Sequence, residues 1–259
     1  MENLLGWFSL ITIFISLYLF KIKYPKIKTI ILVAFFLRVI CVLIDQYLFI
    51  KLPDAYGDAD RFEGLAREYS REYGLLIIFD FLKVDSFLIS RIISLFYSIF
   101  YESKMMAQSI SVTLGTISVY LIYYLSNMLW DHTSAKKAAW FTALFPTLIL
   151  YSSITLREVY VVFFLLIALI GIVKFMQKNS FVSFIQAIIS FFVLLLFHGP
   201  LAVGGFIFLT YLTLGLIKKQ ILKIYKLKLN LFSLFMIIIF SIPIILFFTS
   251  VIKFPYIGS

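Results

Sequence analysis

The chain has 259 residues, 63% of them hydrophobic, 19% aromatic and 14% charged, with a mean hydropathy of +1.04. A soluble domain cannot bury that much apolar surface, and the apolar runs recur at roughly the 20-residue length that spans a bilayer, so the expected class is an all-α, polytopic integral membrane protein. The net charge of +10 does not indicate nucleic acid, because the lysines stand in short clusters between apolar runs, as in loops that face anionic cytoplasmic lipid.

An outer-membrane barrel is excluded as well, since runs such as Val159 to Val173 do not alternate in polarity. The single cysteine, Cys41, lies inside a spanning run and offers neither an intrachain disulfide nor a Cys-based metal site. The first apolar run lacks a basic leader and a small-residue cleavage site, which marks a retained helix.

Taken in chain order, Leu4 to Phe20 crosses inward to Lys21, Lys23, Lys26 and Lys28, and Thr29 to Ile50 returns outward. Arg38 lies in the middle of this second span with Asp45 two turns later on the same face. Charge inside a membrane normally faces protein or a cavity, so Arg38 reads either as half of an internal ion pair or as an anion contact for a lipid phosphate. Residues 51–103 form an external segment in which Asp54, Asp58, Asp60, Glu63, Glu68 and Glu72 gather. Asp60 followed by Glu63 fits a capping box, and Phe62, Leu65, Ala66, Tyr69 and Tyr73 recur at helical spacing. An amphipathic helix is therefore expected from about Arg61, with Glu63 and Arg67 on its polar face. In the extended backbone before it, Asp58 and Asp60 would point the same way. Asp60 is either a helix cap or a site residue; Asp58, after Gly57, has no comparable structural duty.

Asp80, Lys83, Asp85 and Arg91 dilute the run from Leu75 to Tyr101, which reads as one or two interfacial helices. Met105 to Trp130 then crosses inward to Lys136 and Lys137. Ala138 to Ser153 crosses outward, Val159 to Val173 inward to Lys174 and Lys178, Phe181 to Phe197 outward, Leu201 to Ile217 inward to the Lys218–Lys228 cluster, and Leu231 to Val251 outward. The total is about eight spans. This order puts the acidic segment, the Arg157-Glu158 pair and His198 on one, non-cytoplasmic side, and His132 on the other. Arg157-Glu158 is an interfacial anchor or presents an arginine fork to phosphate; His198 is a turn residue or a proton-transfer group. The chain reads as a single transmembrane domain, 1–259, without an internal repeat, and its ending just after a span at Ser259 is compatible with a fragment of something longer. No nucleotide-binding loop, dinucleotide glycine fingerprint, zinc-protease motif or nucleophile elbow occurs.

An outward helix with a central arginine (Arg38), an external Asp54-Ala-Tyr-Gly-Asp-Ala-Asp-Arg-Phe62 loop backed by a helix, interfacial helices, and the Pro-broken Leu144 to Glu158 region together resemble the GT-C superfamily of membrane glycosyltransferases. That class includes protein mannosyltransferase and aminoarabinose transferase-like enzymes, and the resemblance covers roughly 29–217. It implies transfer of a sugar from a polyprenyl-phosphate carrier to an acceptor on the outer face of the cell (inner) membrane. It maps the family's loop base onto Asp58, with Asp60 the alternate, and gives the carrier phosphate to Arg157, Arg61 and Arg38. Tyr56, Glu158 and His198 complete the candidates. The implied partners are the lipid-linked donor and membrane lipids. A divalent cation bridging carboxylate and phosphate is compatible with this chemistry, although no residue pattern specifies one. The chain departs from the family in an extra first helix and in carrying no soluble C-terminal domain. The rival readings are a lipid-linked oligosaccharide polymerase or transporter, and a non-catalytic membrane subunit.

Overall fold

The computed structural model describes residues 2–23, 26–48, 52–55, 57–83, 87–178, 180–224, 238 and 241–242, and every regular element among them is helical. The chain divides into two compact units, Met1–Gly199 and Pro200–Ser259. The first contains α1 (Glu2–Lys23), α2 (Lys28–Tyr47), α3 (Asp58–Glu72), a 3-10 segment (Gly74–Asp80), α4 (Leu88–Ile99), α5 (Lys104–Leu129), α6 (His132–Leu144), α7 (Pro146–Tyr151), α8 (Arg157–Lys178) and α9 (Phe181–Phe197). The second contains α10 (Ala202–Ile224). The last expected span, 231–251, lies almost wholly outside the described residues.

Among the described residues three helices, α2, α5 and α8, are long and apolar enough to cross a membrane, and shorter apolar stretches lie at Asn3–Leu19, Leu88–Ile99, Phe181–Phe197 and Val203–Leu212. The physical basis is length: the 20 residues of α2 rise about 30 Å, the thickness of a hydrocarbon core.

Side-chain contacts fix the direction of each helix in the first unit. At one end the Trp7 indole N–H donates to the Tyr47 hydroxyl (3.2 Å), Gln46 donates to Gln108 (2.8 Å), and the Thr155 hydroxyl donates to the Ala59 carbonyl (3.1 Å). These bonds collect the start of α1, the end of α2, the starts of α3 and α5, and the corner before α8. At the opposite end Ile27, Ile30 and Ile31 pack with Val119, Ala139 and Ala143, Lys174 lies over the Tyr124 ring, and His132 Nδ1 meets the Tyr123 hydroxyl at 2.8 Å. Because α8 and α9 form an antiparallel hairpin, His198, at the C-cap of α9, returns to the end that holds Arg157. The acidic segment, Arg157-Glu158 and His198 thus share one end, and His132 lies at the other.

Small residues let these helices approach closely, as expected where lipid supplies no hydrophobic drive for helix association. A Cβ on Gly171 would sit 2.9 Å from the Ala187 nitrogen and 2.9 Å from the Ser183 carbonyl oxygen, so the hairpin of α8 and α9 is set by backbone contact. The seam of α1 against α5 is made likewise, with Gly6 against Met105.

Two element boundaries differ from expectation. The span expected at Ala138 to Ser153 is two helices: α6 starts earlier, at a cap where the Asp131 carboxylate accepts from the Thr133 and Ser134 backbone N–H groups, and it stops where Phe145 turns extended ahead of Pro146. The external helix begins at Asp58 rather than Arg61, after Gly57 and without a side-chain cap. Asp60 therefore does not cap. Asp58 and Asp60 occupy the first and third helical positions, about 200° apart around the axis, so they diverge instead of pointing together. Glu63 is also not solvent-facing: it is buried and accepts from Arg67 (2.7 Å) and the Tyr97 hydroxyl (3.1 Å), pinning α3 to α4. Between them, Leu75, Leu76, Ile78 and Phe79 of the 3-10 segment are exposed, the chemistry of a segment that rests on a hydrocarbon surface.

Candidate functional site

The polar groups at the acidic end form two clusters. The first is a chain of contacts at the junction of α2, α3 and α5. Gln46 donates to Gln108, Gln108 donates to Asp45 (2.7 Å), and the Lys104 ammonium stands 3.3 Å from Asp45 and 3.7 Å from Asp60. The Asp45 side chain is only 3% exposed, so a buried carboxylate is met by one cation and one amide donor, as burial requires. The expected pairing of Asp45 with Arg38 does not occur: α5 supplies nearer partners at the end of α2.

The second cluster surrounds a cavity of about 60 Å³ lined by Arg38, Gly115, Thr142, Tyr151, Ser152 and Glu158, among others. Arg38 is 1% exposed. Its Nε donates to the Ser152 hydroxyl (2.7 Å) and its Nη1 to the Ala34 carbonyl (2.8 Å). A Cβ on Gly115 would lie 2.9 Å from Arg38 Nε and 2.4 Å from Ser152 Cβ, so the guanidinium and its serine partner fit only because residue 115 has no side chain. Glu158 Oε1 stands 3.4 Å from Arg157 Nε, whereas Glu158 Oε2 is buried without a hydrogen-bond partner. The cavity wall therefore contains a buried guanidinium and a carboxylate oxygen that is still unmet. At one edge the Tyr151 hydroxyl donates to the Asp54 carboxylate (3.2 Å), joining the wall to the acidic loop, where Asp54 adopts a left-handed backbone (φ 62) that aspartate tolerates better than most residues.

The remaining candidates are spread around this end. Asp58 is exposed at the start of α3, and Asp60 is half-buried beside Lys104. Arg61 stacks over the Phe87 ring, 5.1 Å from its centroid. Arg157 pairs with its neighbour Glu158 and is not among the residues lining the cavity. His198 is half-buried after Phe197, whose ring packs on Tyr160. Tyr56 lies outside the described residues. The α2 side chain that lines the cavity is Arg38, two turns before Asp45 on the same face. Among the described residues no group of three or more His, Cys, Asp or Glu is placed to hold a metal ion.

Sequence reasoning passed over Lys104, Gln108, Tyr151 and Ser152. For Lys104 a signal existed, because a lysine beginning an inward span departs from the positive-inside pattern and so calls for a partner. For the other three the sequence shows only ordinary helix residues.

No family model matches the chain, and no curated protein or solved structure is significantly similar to it.

Proposed function

We propose that the protein is a membrane glycosyltransferase of the GT-C kind, moving a sugar from a polyprenyl-phosphate-linked donor to an acceptor on the non-cytoplasmic face of a cell membrane. The observation that carries the proposal is the gathering of carboxylates and arginines at the end of the helices opposite the lysine clusters of the first unit. In this reaction the acceptor oxygen bonds to the anomeric carbon, the carbon–oxygen bond to the carrier phosphate breaks, the acceptor proton passes to a carboxylate, and the phosphate leaves as an anion. Asp58, exposed and unencumbered by the Lys104 network, suits the base. Asp60 is the alternate, restrained by Lys104. Arg157 and Arg61, at the same end of the helices, would stabilise charge on the departing phosphate. An apolar cavity of about 370 Å³ between α1, α4 and α5, lined by Leu5, Phe8, Phe96, Phe100 and Met106 among others, suits a hydrocarbon chain such as the carrier's.

One observation favours the rival reading of a transporter or polymerase of lipid-linked oligosaccharide. Arg38 lies midway along α2 and borders a cavity beside the broken helix pair α6 and α7, and polar midplane groups beside interrupted helices are a transporter's signature. The deciding experiment reconstitutes the full chain in vesicles with radiolabelled polyprenyl-phosphate sugars. Release of polyprenyl phosphate coupled to label on an acceptor supports the transferase; movement of intact donor across the bilayer, without chemical change, replaces it with the transporter.

A further inference from the structure

We infer that the exposed face of α6 binds an anionic phospholipid of the cytoplasmic leaflet, with the phosphate at Lys137 and one acyl chain along Trp140, Phe141, Leu144 and Phe145. These five residues recur at helical spacing, line one shallow groove of about 480 Å³ together with Pro146, and are all exposed. The groove therefore has a cationic end and an apolar length. From Lys137 to Phe145 it runs about 12 Å, against the roughly 15 Å that one leaflet contributes to the hydrocarbon core, and it stops where Phe145 turns extended ahead of Pro146. Protein does not occupy the cationic end. Among the described residues neither Lys136 nor Lys137 stands within ion-pair distance of a carboxylate. The nearest acidic residue in sequence, Asp131, is engaged by the Thr133 and Ser134 backbone N–H groups and by the Ser134 hydroxyl.

The occupant follows from side-chain size and charge. Helices that pack on one another in lipid do so through small residues, and α6 turns its small residues, Ala135, Ala139, Thr142 and Ala143, inward. Ala139 and Ala143 meet Ile27, Ile30, Ile31 and Val119 there. The exposed face instead carries bulky rings, Phe141 and Phe145 lying 5.3 Å apart, which keep another helix from approaching closely. Charge disfavours a second copy as well: two copies inserted the same way and joined through this face by a two-fold axis along the membrane normal would set Lys137 against Lys137. A zwitterionic lipid brings its own ammonium to compete for its phosphate. An anionic phospholipid satisfies both ends of the groove, and the end of the first unit that holds Lys28, Lys136, Lys137, Lys174 and Lys178 is the end that positive charge keeps in the cytoplasm, where the leaflet is rich in such lipid. The inference does not rest on the transferase reading.

Trp140 is a built-in reporter for the test, because the chain has three tryptophans and the other two, Trp7 and Trp130, are exposed and replaceable by phenylalanine. The full chain carrying Trp7→Phe and Trp130→Phe is reconstituted in phosphatidylcholine vesicles with increasing fractions of lipid brominated on its acyl chains, either phosphatidylglycerol or phosphatidylcholine, and quenching of Trp140 fluorescence is read. Brominated phosphatidylglycerol should quench with about fivefold higher apparent affinity than brominated phosphatidylcholine, the share of one lysine at an anionic lipid. Lys137→Gln should abolish that preference and Lys137→Arg should keep it. Lys178→Gln removes the same charge from the same end but outside the groove, and should leave the preference unchanged. Equal quenching by the two lipids, a preference that survives Lys137→Gln, or an equal loss in Lys137→Gln and Lys178→Gln would each overturn the site. Absence of quenching by either lipid would show this face covered by protein and would overturn it too. None of these outcomes bears on sugar transfer, so the transferase reading stands or falls separately.

Discussion

At the scale of single residues, partners decide which carboxylates are free for chemistry. Asp45 and Glu63 are buried and engaged, Asp60 is shared with Lys104, and Asp58 stands exposed at the head of α3. Asp58→Asn is accordingly expected to cut sugar transfer by roughly 10² to 10⁴-fold, the usual share of a general base, with unchanged yield of folded protein. Asp60→Asn should cost less, because Lys104 keeps its contact with Asp45. An active Asp58→Asn beside a dead Asp60→Asn, in the same assay, would exchange their roles. A second carboxylate reports on stability. Arg71 grips Glu102 with two bonds, 2.7 Å and 2.9 Å, and this hydrogen bonding holds the Glu102 carboxyl below its ordinary value of 4.5. A depressed carboxylate contributes its full stabilisation above the unfolded value and loses it as pH falls through the folded one. Thermal unfolding of the wild type should therefore become easier below about pH 4.5, with a smaller change in Arg71→Gln. Because the pair is largely solvent-exposed, the difference will be small and will shrink in high salt; identical pH profiles would show that it contributes nothing.

At the scale of elements, hydrophobic length and breaker residues left most helices readable in the sequence, while their ends and partners were set by contacts from far along the chain. Phe181 to Phe197 is an apolar run free of charge, glycine and proline and is α9 to the residue. Pro146 was visible, but its effect, dividing one expected span into α6 and α7, depends on Phe145 turning extended. The start of α3 was misplaced because Asp60 and Glu63 match a capping pattern whose two side chains are drawn elsewhere, to Lys104 and to Arg67 and Tyr97. The cavity was less legible still. Arg38 and Glu158 were each noticed as charges in apolar surroundings, yet only packing shows them on one wall, and the glycine that makes room for Arg38 lies 77 positions further along, at residue 115. Close packing also yields a prediction for the α8 and α9 hairpin. Gly171→Ala puts a methyl against backbone atoms that cannot swing aside, so it should cost about 1–3 kcal/mol as an overpacked contact, whereas Gly64→Ala, in the exposed interior of α3 where a Cβ meets nothing within 4 Å, should gain up to about 1 kcal/mol of helix propensity. Equal thermal shifts for the two variants would mean that the hairpin yields at Gly171.

At the scale of the whole molecule, charge distribution sets direction. In the first unit, Asp45, Asp54, Asp58, Asp60, Glu63 and Glu102 belong to the end where α2 finishes and α3 and α5 begin, while Lys28, Lys136, Lys137, Lys174 and Lys178 belong to the other. Lysine-rich ends are retained in the cytoplasm during insertion, so the acidic end, with its cavity and exposed apolar 3-10 segment, should face outward, where a lipid-linked donor would be met. Labelling with a membrane-impermeant thiol reagent tests this directly in a Cys41→Ala background. The reporters must be exposed: Glu68 on α3 and Lys137 on α6 are, and they lie on opposite ends. Glu68→Cys should react in intact cells, and Lys137→Cys only after the membrane is opened. If both react from outside, the span count between α3 and α6 is wrong, since α5 would no longer separate them. If the pattern is reversed, the helical arrangement stands but the carboxylates face the cytoplasm, and a donor assembled there from a nucleotide sugar would have to replace the external one.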